Sequence, residues 1–194
     1  MERNEEDILL TKNDGDLLID SEGNDIYFYE EIDPASTMAL LKILKEIDNK
    51  NVWFATTHDC VEIPPIKLHL NTIGGSLFSA IAVADIIPTL RSKVITIIEG
   101  NCSSAGTIIS IVGDRRLMTK NSYILIHQLT GGMEGKHEEL KDAMENYGLF
   151  SKKLEDMYLR YTKIPKKEFD KMITHDLYLP AELAKKWKFV DEVI

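Results

Sequence analysis

The stretch of small residues at 100–106 (Gly-Asn-Cys-Ser-Ser-Ala-Gly) constrains the fold of this chain more than any other feature. The β-branched run 94–98 comes immediately before it, and the apolar run 107–112 comes immediately after it. An apolar strand, a turn of small residues and an apolar helix together form a strand–turn–helix corner. Such a corner can hold a serine hydroxyl at a helix N-terminus, where free backbone N–H groups favour developing negative charge.

The sequence around this corner predicts an α/β fold with a mainly parallel sheet. We expect strands at 66–70, 94–99 and 123–127, and helices at 77–87 and 104–112. Strands that alternate with helices in this way indicate βαβ units whose sheet is buried on both faces.

The first third of the chain predicts a less regular arrangement. Its expected elements are a flexible stretch at 1–14, a β-hairpin formed by 16–20 and 25–29, a helix from Pro34 to about 48 with Asp33 as N-cap, a strand edge at 52–54 and a loop at 55–65.

Beyond residue 127 the sequence predicts mostly helices. A long helix with a polar face is expected at 137–161, and its length and charge suggest that it projects from the body of the protein. Further helices are expected at 165–173 and 181–187, and a last strand at 189–190.

Composition excludes several classes of function. A formal net charge of −9 without a basic stripe argues against a nucleic-acid partner. No apolar run reaches the ~20 residues of a membrane span, and the charged start at 1–7 shows no export signal. The two cysteines match no disulfide or zinc spacing, so we expect a cytoplasmic protein without a metal or cofactor. The length suits a single domain covering 1–194.

Three features could supply partners for a serine at the corner. The glycine-rich turn at 71–76 could provide a backbone N–H from Gly74 that forms an oxyanion hole together with the N–H of Ala105. His127 ends an apolar strand, and Asp176 precedes a helix. Each feature alone also has an ordinary structural explanation: glycines serve turns, a strand-end histidine is often a satisfied structural residue, and acids are common in loops.

The order of these features resembles the proteolytic subunit of the Clp protease, the ClpP family. The resemblance covers about 71–194 well and 25–54 loosely. Four motifs carry it, namely Asn-Thr-Ile-Gly-Gly at 71–75, Gly-Asn-Cys-Ser-Ser-Ala-Gly at 100–106, Ile-His-Gln-Leu at 126–129 and Asp-Leu-Tyr-Leu-Pro-Ala at 176–181.

The resemblance implies a fold and a set of roles. The fold would be crotonase-like, a ββα superhelix with a projecting handle at about 128–161. Ser104 rather than Ser103 falls on the nucleophile position, His127 on the general base and Asp176 on the acid that orients it. Gly74 and Ala105 would form the oxyanion hole. The backbone of Gly75, Ser76 and Leu77 would pair with an extended substrate.

The resemblance also implies an assembly and partners. The protein would be a serine endopeptidase that degrades or processes unfolded proteins or peptides without itself using ATP. It would form a homo-oligomeric chamber of six- or seven-membered rings, single or stacked, and an AAA+ unfoldase is one candidate partner. The alternatives are a catalytically weak or inactive ring subunit and a crotonase-fold acyl-CoA hydratase or isomerase.

Four positions depart from the pattern of the family. Ile73 stands where the family has a proline before the glycines, and Leu129 replaces the proline after the His-Gln pair. His175 stands where the family usually has an arginine involved in contacts between rings. Lys188 replaces a glycine that usually ends a helix in the left-handed conformation.

Overall fold

A computed structural model describes residues 18–194. The predicted flexible stretch at 1–14 lies outside these residues. In the described part, the strands are β1 (Ile19–Glu22), β2 (Asp25–Phe28), β3 (Ile66–Thr72), β4 (Val94–Ser103), β5 (Arg115–Met118), β6 (Tyr123–Ile126), β7 (Leu177–Pro180) and β8 (Glu192–Val193). The helices are α1 (Pro34–Thr57), α2 (Leu77–Ile86), which a short 3-10 turn (Ile87–Thr89) follows, α3 (Ala105–Ser110), α4 (His137–Tyr161), α5 (Lys166–Thr174) and α6 (Ala181–Lys186).

All eight strands belong to one sheet, and most of its pairings are parallel, as predicted. The order β1-β2-β3-β4-β5-β8 is continuous, with antiparallel pairing only between β1 and β2 along this path. The long strand β4 has two neighbours on the same side. Its first half pairs with β5, and its last residues, Asn101–Ser103, pair with β6. The sheet therefore divides along β4, and β6 with its antiparallel partner β7 lies beside the end of β4.

The core explains why the central strands and helices were predictable. Ile66, Leu68 and Leu70 alternate along β3 with more exposed residues, and all three are fully buried. Helix α1 begins at the predicted N-cap, where Asp33 Oδ1 accepts from the backbone N–H of Ser36 at 2.7 Å. This capping interaction satisfies one of the free N–H groups at the helix start.

The prediction for the end of α1 is wrong, because the helix continues to Thr57 and includes the expected strand edge at 52–54. Asn51, which is buried, donates its side-chain N–H to the Pro64 carbonyl oxygen at 3.0 Å and to Ser92 Oγ at 3.3 Å. These distant contacts hold the last turns helical against the strand propensity of Val-Trp-Phe. The loop shrinks accordingly to 58–65.

Three strand predictions also need correction. Strand β5 was not expected, since it opens with Arg115 and Arg116. Strand β7 lies where a loop was expected before the last helix. The expected strand at 189–190 is buried but not paired, and β8 follows it instead. Charge explains the first case: Arg116 forms a bidentate pair with Asp191 after folding, at 2.9 and 3.2 Å.

Helix α4 has the predicted bounds, and its buried residues (Leu154, Met157 and Tyr158) all lie in its last third. No residue of this helix before Leu154 is buried, which agrees with a helix that extends from the body. At the end of α6, Lys188 adopts φ +60°, so a lysine takes the left-handed position that glycine commonly occupies after a helix.

Candidate active site

The carboxyl ends of β3, β4 and β6 meet at one edge of the sheet, where parallel sheets commonly place their sites. A cavity of about 470 Å³ opens there. Its walls include six of the residues singled out from the sequence, namely Gly75, Ser76, Leu77, Ser104, Ala105 and His127.

Ser104 occupies the corner between β4 and α3 in a strained backbone conformation, with φ 52° and ψ −125°. Its N–H donates to the Leu125 carbonyl oxygen at 2.8 Å, and its carbonyl accepts from the N–H of Thr107 at 3.0 Å. Such a conformation is unusual for a residue other than glycine and persists only when the surroundings hold it. A sharp strand-to-helix turn of this kind presents a serine hydroxyl outward, as in the nucleophile elbows of hydrolases.

The two residues before Ser104, Ser103 and Cys102, also carry a hydroxyl and a thiol, but both are buried. Ser103 is 5% exposed, and its hydroxyl donates to Asn101 Oδ1 at 2.8 Å. Cys102 is fully buried, and burial raises the pKa of its thiol to about 12, so it stays protonated and unreactive. Of the three residues, Ser104 alone lines the cavity.

The glycine turn after β3 packs directly against this corner. Gly74 has φ +99°, and a Cβ on it would lie 2.6 Å from Ser104 Cβ and 2.7 Å from the Ser103 carbonyl oxygen. Its N–H donates to Thr72 Oγ1 at 3.1 Å. The N–H that the sequence assigned to the oxyanion hole is therefore already engaged within the turn.

The neighbouring Gly75 is arranged differently from Gly74. Ile32 pairs with this turn on one side, donating its N–H to the Gly74 carbonyl and accepting from the Ser76 N–H, both at 2.7 Å. Because backbone groups alternate along an extended chain, the N–H and C=O of Gly75 point away from Ile32. Gly75 lines the cavity, whereas the Ser76 N–H is committed to Ile32.

His127 follows the last residue of β6 and is half-buried on the cavity wall. Asp176, by contrast, is exposed and does not line the cavity. Within residues 18–194, no hydrogen bond joins the side chains of Ser104, His127 and Asp176. The structure thus brings the serine and histidine to one cavity and leaves the aspartate outside it.

The pairing of β6 with β7 nevertheless places Asp176 close to His127 along the ladder. Ile126 pairs with Leu177, so His127 and Asp176 are the next residues in register. The Leu177 N–H donates instead to the His175 carbonyl oxygen at 2.8 Å. This three-residue turn bends the chain at Asp176 and ends the ladder one pair before the histidine.

Large apolar side chains that the sequence did not point to also line the cavity. Phe78 of α2 contacts Phe150 of α4 edge to face, with 5.2 Å between ring centroids. Tyr147 and Leu154 continue this wall along α4. In the sequence, Phe150 and Leu154 follow Tyr147 by three and seven residues. This spacing predicts that the three side chains lie on one side of the helix.

The described residues contain no group of three His, Cys, Asp or Glu side chains arranged to hold a metal ion. Among the helices of residues 18–194, none combines the length and the apolar character that crossing a membrane requires.

Comparison with known proteins gives consistent results. The family model described as Clp protease matches residues 24–194. A solved structure of a mutant ClpP1 from Listeria monocytogenes superimposes with a TM-score of 0.75 at 20% sequence identity. The match covers 89% of this chain and 91% of that one. This likeness confirms the predicted α/β fold of the ClpP type.

Proposed function

The chain belongs to the Clp protease family, and on that premise we propose that it is a serine endopeptidase that cleaves unfolded proteins or short peptides. One observation carries the proposal: Ser104 occupies a strained corner with φ 52° on the same cavity as His127. A strained serine beside a potential base is the arrangement that nucleophilic catalysis needs.

In the proposed reaction, Ser104 Oγ attacks the carbonyl carbon of the scissile peptide while His127 accepts the hydroxyl proton. His127 then gives this proton to the leaving amine, and the acyl group stays on Ser104. Water attacks the acyl-enzyme with His127 again as the base, and the second product leaves as a carboxylic acid.

We assign the oxyanion hole to the N–H groups of Ala105 and Gly75. Ala105 opens α3, where backbone N–H groups have no intrahelical acceptor. Gly75 replaces Gly74 in this role because the Gly74 N–H donates to Thr72. Two donors aimed at the developing negative charge would supply a large share of the rate enhancement.

Asp176 completes the proposed triad only after a local change. If the turn at Asp176 opens, the β6–β7 ladder gains one more pair, and the carboxylate comes opposite His127. In an antiparallel pair such neighbours have Cβ atoms ~5 Å apart, which is within reach of a carboxylate–imidazole hydrogen bond. The acid would then fix the tautomer of His127 and stabilise the imidazolium.

The walls of the cavity suggest how a substrate would bind. The free edge of Gly75 could pair with an extended peptide, with Ser76 and Leu77 beside it. The wall formed by Phe78, Tyr147 and Phe150 would accept a large apolar side chain. Membership of the family further suggests a chamber built from rings, with or without an AAA+ unfoldase.

Labelling with a fluorophosphonate probe tests the assignment of the nucleophile. The assembled wild type should label, Ser104→Ala should lose labelling completely, and Ser103→Ala should retain it at a reduced rate. Native mass spectrometry establishes that each variant assembles as the wild type does.

The exposed position of Asp176 favours one alternative, a catalytically weak or inactive ring subunit. Assembled wild-type protein that fails to label under these conditions would replace the protease proposal with this alternative. A stable monomer would contradict the chamber.

A further inference from the structure

Strand β4 contains an irregularity immediately before the candidate nucleophile. Leu70 of β3 pairs with Ile98, but Thr72 pairs with Cys102, so four steps along β4 match two along β3. The two extra residues interrupt the backbone ladder at the point where both strands approach the cavity. Other groups must therefore hold the two strand ends together.

The side chain of Asn101 bridges this interruption. Its Nδ2 donates to the Thr72 carbonyl oxygen at 3.1 Å, and its Oδ1 accepts from Ser103 Oγ at 2.8 Å. Because a carbonyl oxygen can only accept, the orientation of the amide is determined. Thr72 and Ser103 are 3% and 5% exposed, so the partners of Asn101 in both bonds are buried.

Further contacts connect the Asn101 bridge to the glycine turn and to Ser104. Thr72 Oγ1 accepts from the Gly74 N–H at 3.1 Å, which fixes the turn that carries Gly75. At the other end, Ser103 directly precedes Ser104. Three hydrogen bonds, two of which meet at different atoms of Thr72, thus link the glycine turn to the residue before the proposed nucleophile, and Asn101 takes part in two of them.

We propose that Asn101 is a positioning residue that sets the distance between the Ser104 hydroxyl and the oxyanion donor on Gly75. The inference rests on the proposed function. Asn101 does not line the cavity, so it acts through Thr72 and Ser103 rather than on the substrate. Displacement of a reacting group by ~1 Å can reduce the rate ~100-fold, so a small shift of either turn should be measurable.

The test compares Asn101→Leu with a matched control, Asn51→Leu. Asn51 is likewise an amide that bridges a carbonyl oxygen and a serine hydroxyl, but it lies on α1 away from the cavity. Both variants lose a bridging amide, so both should lower the thermal midpoint. Only Asn101→Leu should lower kcat, by ~10-fold, with KM changed less than ~2-fold.

Two further measurements keep the result independent of folding and of activity. Ser103→Ala removes one bond of the chain without changing Asn101, and the double variant with Asn101→Leu should be no slower than Asn101→Leu alone. Hydrogen exchange of the peptide covering 70–77 should accelerate in Asn101→Leu and not in Asn51→Leu.

Each outcome has a distinct meaning. Equal kcat in Asn101→Leu and the wild type, or equal losses in Asn101→Leu and Asn51→Leu, would overturn the positioning role. Wild-type protein that does not react with the fluorophosphonate probe would instead refute the proposed function. In that case the exchange measurement still decides whether Asn101 holds the glycine turn.

Discussion

The two halves of the candidate site differ in how firmly they are held. Ser104 and the glycine turn lie at the ends of β3 and β4, where Asn101, Thr72 and Ser103 form a continuous set of hydrogen bonds. His127 and Asp176 lie at the ends of β6 and β7, and neither side chain has a hydrogen bond within the described residues 18–194. The corner that carries the proposed nucleophile is therefore preorganised, whereas the proposed base and acid are not.

Position in the sheet explains this difference. Strands β3 and β4 are central, have helices packed against them and contribute fully buried residues to the core. Among the strands of residues 18–194, β7 pairs only with β6, and three of its four residues are exposed. Regions with few buried contacts open at low free-energy cost, so the half that contains His127 and Asp176 can rearrange more easily than the half that contains Ser104.

Substitutions in the loosely held half should produce the largest effects on activity and separate its two members. His127→Ala should reduce kcat by ~10⁴-fold or more, since His127 is the one histidine among the residues that line this cavity. Asp176→Asn should cost less, ~100-fold, because the carboxylate must first move to reach His127. Steady-state hydrolysis of a peptide substrate measures both values.

The relative losses of kcat in these two variants show whether Asp176 takes part in the reaction. Equal losses in His127→Ala and Asp176→Asn would mean that the acid is engaged throughout the reaction. An unaffected kcat in Asp176→Asn would remove Asp176 from the triad.

In the firmly held half, Gly74→Ala should reduce both stability and reactivity. Its Cβ would lie within 2.7 Å of the Ser103 carbonyl oxygen in a left-handed backbone, so the turn and the corner must separate. We expect a loss of ~3 kcal/mol in the free energy of unfolding. Gly23→Ala is the control, since φ is +61° there but no atom lies within 4 Å, and it should cost only ~1 kcal/mol.

Denaturation curves and probe labelling together distinguish the two contributions. Gly23→Ala should label at the wild-type rate, whereas Gly74→Ala should label much more slowly even when folded. Similar stabilities for the two variants would show that the turn and the corner are not in tight contact.

Some features of the site could be predicted from the local sequence, and others could not. Strands β3 and β4 have dense β-branched and apolar residues, so local pattern was sufficient to predict them and the corner at Ser104. The proposal of Gly75 in place of Gly74 rests on the hydrogen bond from the Gly74 N–H to Thr72 and on the pairing of the turn with Ile32. Ile32 is more than 40 positions away in the sequence, so this pairing leaves no local signal.

Long-range contacts decided the other differences as well. The end of α1 depends on Asn51 bonding to Ser92, 41 residues away. Strand β5 is stable because the charge of Arg116 finds Asp191, 75 residues away. Local propensity carries no information about such partners. It therefore predicted a strand edge at 52–54, which is helical, and did not predict strand β5.

The smallest expected effect is on stability and concerns Asp48 and Asp176. Asp48 is held firmly by hydrogen bonds, as Ser104 and the glycine turn are, whereas Asp176 is not. Asp48 is 5% exposed and accepts from the backbone N–H groups of Arg91 and Ser92 and from the Arg91 guanidinium. Burial alone would raise the pKa of Asp48, but the hydrogen bonds from Ser92 and Arg91 outweigh it and lower the pKa below its usual 3.8. Asp176 is exposed and has no such partners among the described residues.

A carboxylate whose pKa is lowered by folding stabilises the protein above its unfolded pKa, and this contribution disappears as the pH falls through the folded value. Asp48→Asn should therefore cost ~1–2 kcal/mol at pH 7, and the difference from wild type should shrink below about pH 4. Asp176→Asn should leave the free energy of unfolding at pH 7 unchanged, because the exposed carboxylate of Asp176 makes no such hydrogen bonds within the described residues. Thermal midpoints between pH 3 and 7 test the prediction for Asp48, and a difference between Asp48→Asn and the wild type that persists undiminished below pH 4 would contradict it.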